Sequence, residues 1–219
     1  KDTGPVFTSL PTVSEVIIEN LVQFGITEYF GVPGTSSLGI IDAIRKNEKA
    51  RFFLFRHEEN AAMAASAYNK LTGKIAACVT IAGPGATNLT TGLYDAKEDR
   101  ASVLSINGQV EMQYSGPGGF QEIDQDAFFR PVTVFNNTIY DEKMAVKIIT
   151  MAVLHAIVRK GVAQVSVPND IQKLKIDPES IEGWGVIPSL MVRPGDEIIQ
   201  KAIDLINTSK SPVIIAGWG

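Results

Sequence analysis

The chain has 219 residues, 45% hydrophobic and 20% charged, an ordinary globular composition with room for one large domain and part of a second. A net charge of −4 offers no basic field to nucleic acid. No run of about 18 apolar residues spans a bilayer, and no charged start leads into an apolar leader. The single cysteine, Cys78, excludes an internal disulfide, fits a reducing, cytoplasmic setting and sits in an apolar run as a structural thiol; with only His57 and His155 beside it, no typical zinc set can form.

In chain order, Thr12-Val-Ser-Glu15 reads as a capping box opening a helix that turns Val16, Ile17, Leu21 and Phe24 inward and ends at Gly25. A strand over 28–32, a Pro33-Gly34 turn and a helix over 37–47 follow. Residues 52–55 read as a strand, 58–71 as an Ala- and Met-rich buried helix stopped by Gly73, and 75–81 as a continuous apolar strand. The Gly-Pro-Gly turn at 83–85 leads into a helix through about Ala96, and 102–107 is the next strand. Residues 108–119 are Gly-rich and irregular. A short helix (123–128), a strand (132–135), a long helix (141–159) and a strand (162–167) complete the set. Unalternating strands separated by helices predict an α/β, doubly wound, mostly parallel sheet with helices on both faces, over residues 8–168. Pro- and Gly-punctuated residues 169–192 read as a linker. Residues 193–219, with a helix to about Asn207 and a strand at Pro212–Ala216, read as the start of a second α/β domain.

Four stretches fall near the carboxyl ends of predicted strands, where open α/β sheets place their sites. Gly31-Val-Pro-Gly-Thr-Ser36 is either a capped βα turn or a set of exposed backbone N–H groups. Arg56-His57-Glu58-Glu59 places two acids in a first helical turn, where the dipole favours them; alternatively, one acid faces the small apolar turn that follows and handles protons. Ala82-Gly-Pro-Gly-Ala-Thr-Asn88 matches no phosphate-loop pattern, so its glycines serve either an anion or a close approach to a flat ring. Gly116-Pro-Gly-Gly-Phe120-Gln121-Glu122 is a surface loop or the carrier of a phenyl and an amide to a ligand pocket.

The runs RHEENAAMAASAYNKLTGK, AGPGATNLTTGLYDAKEDR and FQEID, in this order, resemble the pyrimidine-binding domain of thiamine diphosphate enzymes, with pyruvate oxidases first and acetolactate synthases next. The resemblance covers essentially the whole chain. It implies that Glu58 hydrogen-bonds N1′ of the aminopyrimidine and, by sharing a proton there, promotes the imino form that activates the thiazolium carbon. It implies that Pro33, Gly34, Thr35, Pro84 and Asn88 line the pyrimidine side, and that Phe120 and Gln121 face the substrate-derived adduct. Arg56 and His57 are expected to serve structural hydrogen bonds, and His155 to be a core or helix-end histidine. Glu59 falls at a position that varies in kind.

By the same resemblance, the parent would decarboxylate pyruvate or another 2-oxo acid with thiamine diphosphate and Mg2+, and an oxidase would add FAD through a central domain beginning near residue 193. The alternative within the class is an acetolactate synthase-type carboligase. The alternative outside it is a non-catalytic Rossmann-like binding module. The Gly-Asp-Gly segment that holds magnesium and diphosphate in the family is absent here, so the metal ligands are expected outside this chain. The family's site lies between subunits, implying a homodimer or homotetramer and an isolated chain that binds the cofactor poorly.

Overall fold

The computed structural model describes residue 7 and residues 9–178 and 193–217, which fall in two units divided at Ile187/Pro188. Thr12 caps α1 (Val13–Gln23), its hydroxyl accepting from the Glu15 amide while the Glu15 carboxylate accepts from the Thr12 amide, so the predicted capping box forms. The alternation continues as β1 (Glu28–Gly31), α2 (Leu38–Lys46), β2 (Arg51–Leu54), α3 (Glu58–Thr72) and β3 (Ala76–Thr80). Then come α4 (Pro84–Asn88), α5 (Thr90–Glu98), β4 (Val103–Gln109), α6 (Gln125–Phe129), β5 (Thr133–Thr138), α7 (Ala145–Arg159) and β6 (Val162–Pro168).

All six strands pair in parallel, in the order β2-β1-β3-β4-β6-β5. The α/β fold read from the sequence is the fold of the chain. Successive side chains of a strand point to opposite faces, and each face has its own core. Tyr29, Val79, Leu104, Ile106, Val165 and Val167 join α1, α2 and α7. Phe30, Ala76, Cys78, Val103 and Val162 join α3, α4 and α5. On that second face the strands turn polar toward their carboxyl ends: Thr80, Ser105, Asn107, Gln164 and Ser166 are all fully buried. Between β1 and β3 the winding reverses direction, and the loops leaving those strands frame a crevice.

Three elements differ from the sequence reading. The helix expected from the Gly-Pro-Gly turn to Ala96 is two, α4 and α5, joined at Leu89. The Thr87 and Thr90 hydroxyls donate to the Pro84 and Thr87 carbonyls at 3.1 and 2.7 Å, competing with the helical ladder there. The expected linker begins inside the first unit: Ile171 and Ile176 are buried, Thr12 and Lys175 form an antiparallel bridge, and the Ile176 amide donates to Pro11. Residues 179–192 of that linker lie outside the described residues. In the second unit α8 (Asp196–Thr208) forms, but Pro212–Ala216 is not a strand. A strand needs a neighbour to take its backbone hydrogen bonds, and Val213, Ile214 and Ile215 are each at least 80% exposed.

Candidate functional site

Glu58 is the first residue of α3. His57 caps that helix with Nδ1, which accepts from the Glu59 amide at 3.3 Å, while Arg56 and His57 are exposed. The histidine therefore serves the backbone. The helix then presents Ala61, Ala62 and Ala65 to the core and carries the Glu58 side chain down with them, leaving Glu58 8% exposed. A carboxylate at a helix start is favoured by the dipole, but burying it needs donors. One comes from across the turn: Asn88 Nδ2 donates to Glu58 Oε2 at 3.0 Å. Oε1 has no hydrogen-bond partner among the described residues.

The Gly-Pro-Gly turn explains how a ligand could reach that oxygen. A Cβ on Gly85 would sit 3.4 Å from Glu58 Oε1 and 2.6 Å from Ile81 Cγ1, and would also strike the Thr80 hydroxyl. The missing side chain keeps the carboxylate's flank open. Gly83 has φ +59°, and a Cβ there would overlap the Gln121 carbonyl and lie 3.0 Å from its Cα. Glycine is required at this position twice over, by dihedral and by contact. The loop after β4 is thereby seated on the turn after β3. Gln121 itself has φ +66°, a conformation that costs a non-glycine residue about 1–2 kcal/mol.

The stretch after β1 joins the same group. Ser36 Oγ accepts from the Ala82 amide at 2.8 Å, and Gly34 lies against Ile81, where a Cβ would collide with Cγ2. Gln172 Nε2 donates to the carbonyls of Ser36 and Val167, at 2.7 and 2.8 Å, fixing the turn from behind. Thr35, Phe120 and Gln121 line one cleft of about 430 Å³ with Val110, Tyr114 and Asn169. Phe120 is 90% exposed. Pro33 and Pro84 are exposed on their respective turns. The fold thus gathers Glu58 with Asn88 and Gly85, and Thr35 with Phe120 and Gln121, and the three-residue Gly-Pro-Gly turn bridges the two groups.

Sequence reasoning did not single out Asn169 or Gln172, and it took Thr35 or Ser36 as a helix cap, whereas the Ser36 hydroxyl instead accepts from the Ala82 amide. Asn169 follows the carboxyl end of β6, a placement that could have drawn notice; its Oδ1 is buried without a partner among the described residues. His155 is half-buried on α7 and packs at a tilt against the Phe135 ring, with centroids 5.1 Å apart. Cys78 is fully buried in the sheet, where burial pushes its thiol up to about 12. Among the described residues no group of three or more His, Cys, Asp or Glu side chains could hold a metal, and no helix is long and apolar enough to cross a membrane.

Residues 11–128, which contain every one of these loops except the β6 exit, match the family model described as "Thiamine pyrophosphate enzyme, N-terminal TPP binding domain". The chain belongs to the thiamine pyrophosphate enzyme family. Thiamine pyrophosphate and thiamine diphosphate are one compound. Among its relatives is YdaP of Bacillus subtilis, whose name describes it as thiamine pyrophosphate-containing, 39% identical over 95% of this chain and 36% of its own length. The acetolactate synthase large subunit of Corynebacterium glutamicum is 33% identical over 95% of this chain and 34% of its own. Acetolactate synthase 1 of rice is 32% identical over 94% and 33%. The chain therefore spans about a third of the length of these thiamine pyrophosphate enzyme relatives. The arrangement suits such a cofactor: a buried carboxylate oxygen free to meet a protonated ring nitrogen, and a glycine cradle that lets a flat ring approach it.

Proposed function

We propose that this domain forms the pyrimidine-binding wall of a thiamine diphosphate site, in a parent enzyme that decarboxylates a 2-oxo acid such as pyruvate and joins the fragment to a second 2-oxo acid, as an acetolactate synthase does. The observation that carries the reading is the Glu58 carboxylate, buried at the start of α3, bonded through one oxygen to Asn88 and open at the other. The carboligase reading is favoured over the pyruvate oxidase expected from the LYDAKEDR run because most of the named relatives are acetolactate synthases. FAD belongs to the oxidase alternative.

When bound, thiamine diphosphate supplies a nucleophilic carbon and a sink for the electrons released by decarboxylation. This chain's residues prepare it. Glu58 Oε1 holds a proton between itself and the ring nitrogen N1′, and the Asn88 amide keeps the carboxylate aimed there. Gly34, Thr35 and Pro33 on one turn, and Pro84 on the other, border the ring. Gln121 donates its amide to oxygen atoms of the substrate, and Phe120 covers them. Magnesium and the diphosphate would be held by residues outside this chain, on another subunit of a homodimer or homotetramer. Residues 193–219 would open the central domain.

The test uses the full-length parent. Exchange of the cofactor's reactive carbon proton, followed by NMR, should slow by about 100- to 10,000-fold in Glu58→Gln. Wild-type exchange in that variant would end the reading and favour a non-catalytic module. Pyruvate turnover yielding acetolactate supports the carboligase; flavin reduction coupled to turnover instead selects the oxidase.

A further inference from the structure

The loop that carries Phe120 and Gln121 rests on Gly83 and is tied a second time, within itself, by Glu122. The Glu122 carboxylate accepts the amide of Gly116 through Oε1 and those of Gly118 and Gly119 through Oε2, at 2.8 and 2.9 Å for the latter two. The Glu122 amide in turn donates to the Gly119 carbonyl at 2.9 Å, closing a turn over 119–122. Three N–H donors from a Gly-rich stretch thus converge on one side chain. Gly116 and Gly118 have φ of +99° and +91°, dihedrals that favour glycine, with open space where a Cβ would stand. The neighbours of the turn include Tyr114, whose Cβ lies 3.0 Å from where a Cβ on Gly119 would stand, Val110, whose Cγ1 lies 3.7 Å from that point, and Gly83 beneath Gln121. The backbone bonds hold the Glu122 carboxyl below the usual carboxylate range, that from Gly116 most of all.

We infer that Glu122 is a positioning residue: it clamps the 116–119 backbone so that Phe120 and Gln121 stand over the cleft. The inference rests on the roles proposed above for those two side chains. Ionised carboxylate is the side chain that accepts three convergent amides, since each oxygen offers two lone-pair directions and neither carries a proton. Glutamine at 122 would keep one accepting oxygen and turn an NH2 group toward N–H donors. Without the clamp, Gly116 and Gly118 leave the loop many conformations, and Gln121 keeps only its seat on Gly83 to hold its positive φ.

The experiment uses the full-length parent with Glu122→Gln, Gln121→Ala and the double variant. Hydrogen exchange of the Gly116, Gly118 and Gly119 amides should lose protection in Glu122→Gln whatever the substrate, so the clamp is tested apart from the function. For pyruvate turnover, kcat should fall by about 100-fold, the cost of an ångström of misplacement, with thiamine diphosphate affinity changed less than about twofold. In the double variant Glu122→Gln should cost clearly less than it costs alone, because part of its effect runs through the Gln121 amide already removed. Unchanged amide protection, wild-type kcat in Glu122→Gln, or additive losses in the double variant would each overturn the inference.

Discussion

Replacing Gly92 with Ala sets two effects of opposite sign against each other. Gly92 lies in α5, and helix propensity alone gives Ala an advantage of about 1 kcal/mol in a helix interior. The packing says otherwise. A Cβ on Gly92 would fall 2.6 Å from the Ala62 Cβ, 2.7 Å from the Glu59 carbonyl oxygen and 2.8 Å from the Met63 nitrogen. Two of these are backbone atoms of α3 and cannot swing aside. Overpacking of this kind costs typically 1–3 kcal/mol, and a rigid neighbour puts it at the upper end, so the net loss is about 2 kcal/mol. For a chain of this length that lowers Tm by about 4–8 °C, read by thermal unfolding under far-UV circular dichroism. Because α3 must move away to make room, Glu58 should shift from Asn88 and cofactor affinity should fall as well. A Gly92→Ala protein that is as stable as wild type, or more so, would refute the claim that α5 rests on the α3 backbone here.

Gly73 offers the contrasting case: its φ is +70° with open space around the absent Cβ, so Gly73→Ala should cost about 1 kcal/mol from the dihedral alone, without touching the site, measured by urea midpoint. Asn88→Ala removes the donor to Glu58 and should lower stability by about 1 kcal/mol while weakening thiamine diphosphate binding, seen by calorimetry on the parent. The Asp95 carboxyl is held below its ordinary value by the Ser66 hydroxyl at 2.7 Å, against some burial, and then by Lys70 at 3.0 Å. Its contribution is therefore fully present above the unfolded value of about 3.9 and disappears as pH falls through the lower folded value. Ser66→Ala should shrink the difference in Tm between pH 7 and strongly acid solution. The Cys78 thiol, pushed up to about 12 by burial, should react with a disulfide reagent only at the rate of unfolding, so rapid native-state labelling would contradict its placement.

The sheet was legible because a parallel strand buried on both faces, as β1, β3, β4 and β6 are, shows as an apolar run between helical periods, and the partly exposed edge strands β2 and β5 keep enough apolar residues to read the same way. Pro212–Ala216 has the same composition, but composition reports burial only when a neighbouring strand exists to bury it. The hitch at Leu89 hinges on where two threonine hydroxyls point, which spacing does not encode. At the site, local chemistry marked the Arg56–Glu59 stretch and the Gly-Pro-Gly turn, and only the family resemblance picked Glu58 from the two acids. Ser36 and Ala82 meet across 46 residues, and Gln172 reaches Ser36 across 136, so no local pattern carries them. Glu122 stood in plain view beside Phe120 and Gln121, yet its three amide partners emerge only once the glycines curl around it.

At one margin of the sheet β2 is four residues long, paired with β1 on one flank and with nothing described on the other. Phe53 and Leu54 are 38% and 70% exposed there. Arg51 stands guard: its guanidinium is bonded to Glu28 at 2.8 Å and lies 5.5 Å above the Phe53 ring. A bare margin of this kind invites another copy to pair along it, and a charged side chain held on the edge opposes that pairing. Trading Arg51 for a small apolar side chain would leave the loops around Glu58 untouched and yet strip this margin of the charge that discourages edge-to-edge pairing.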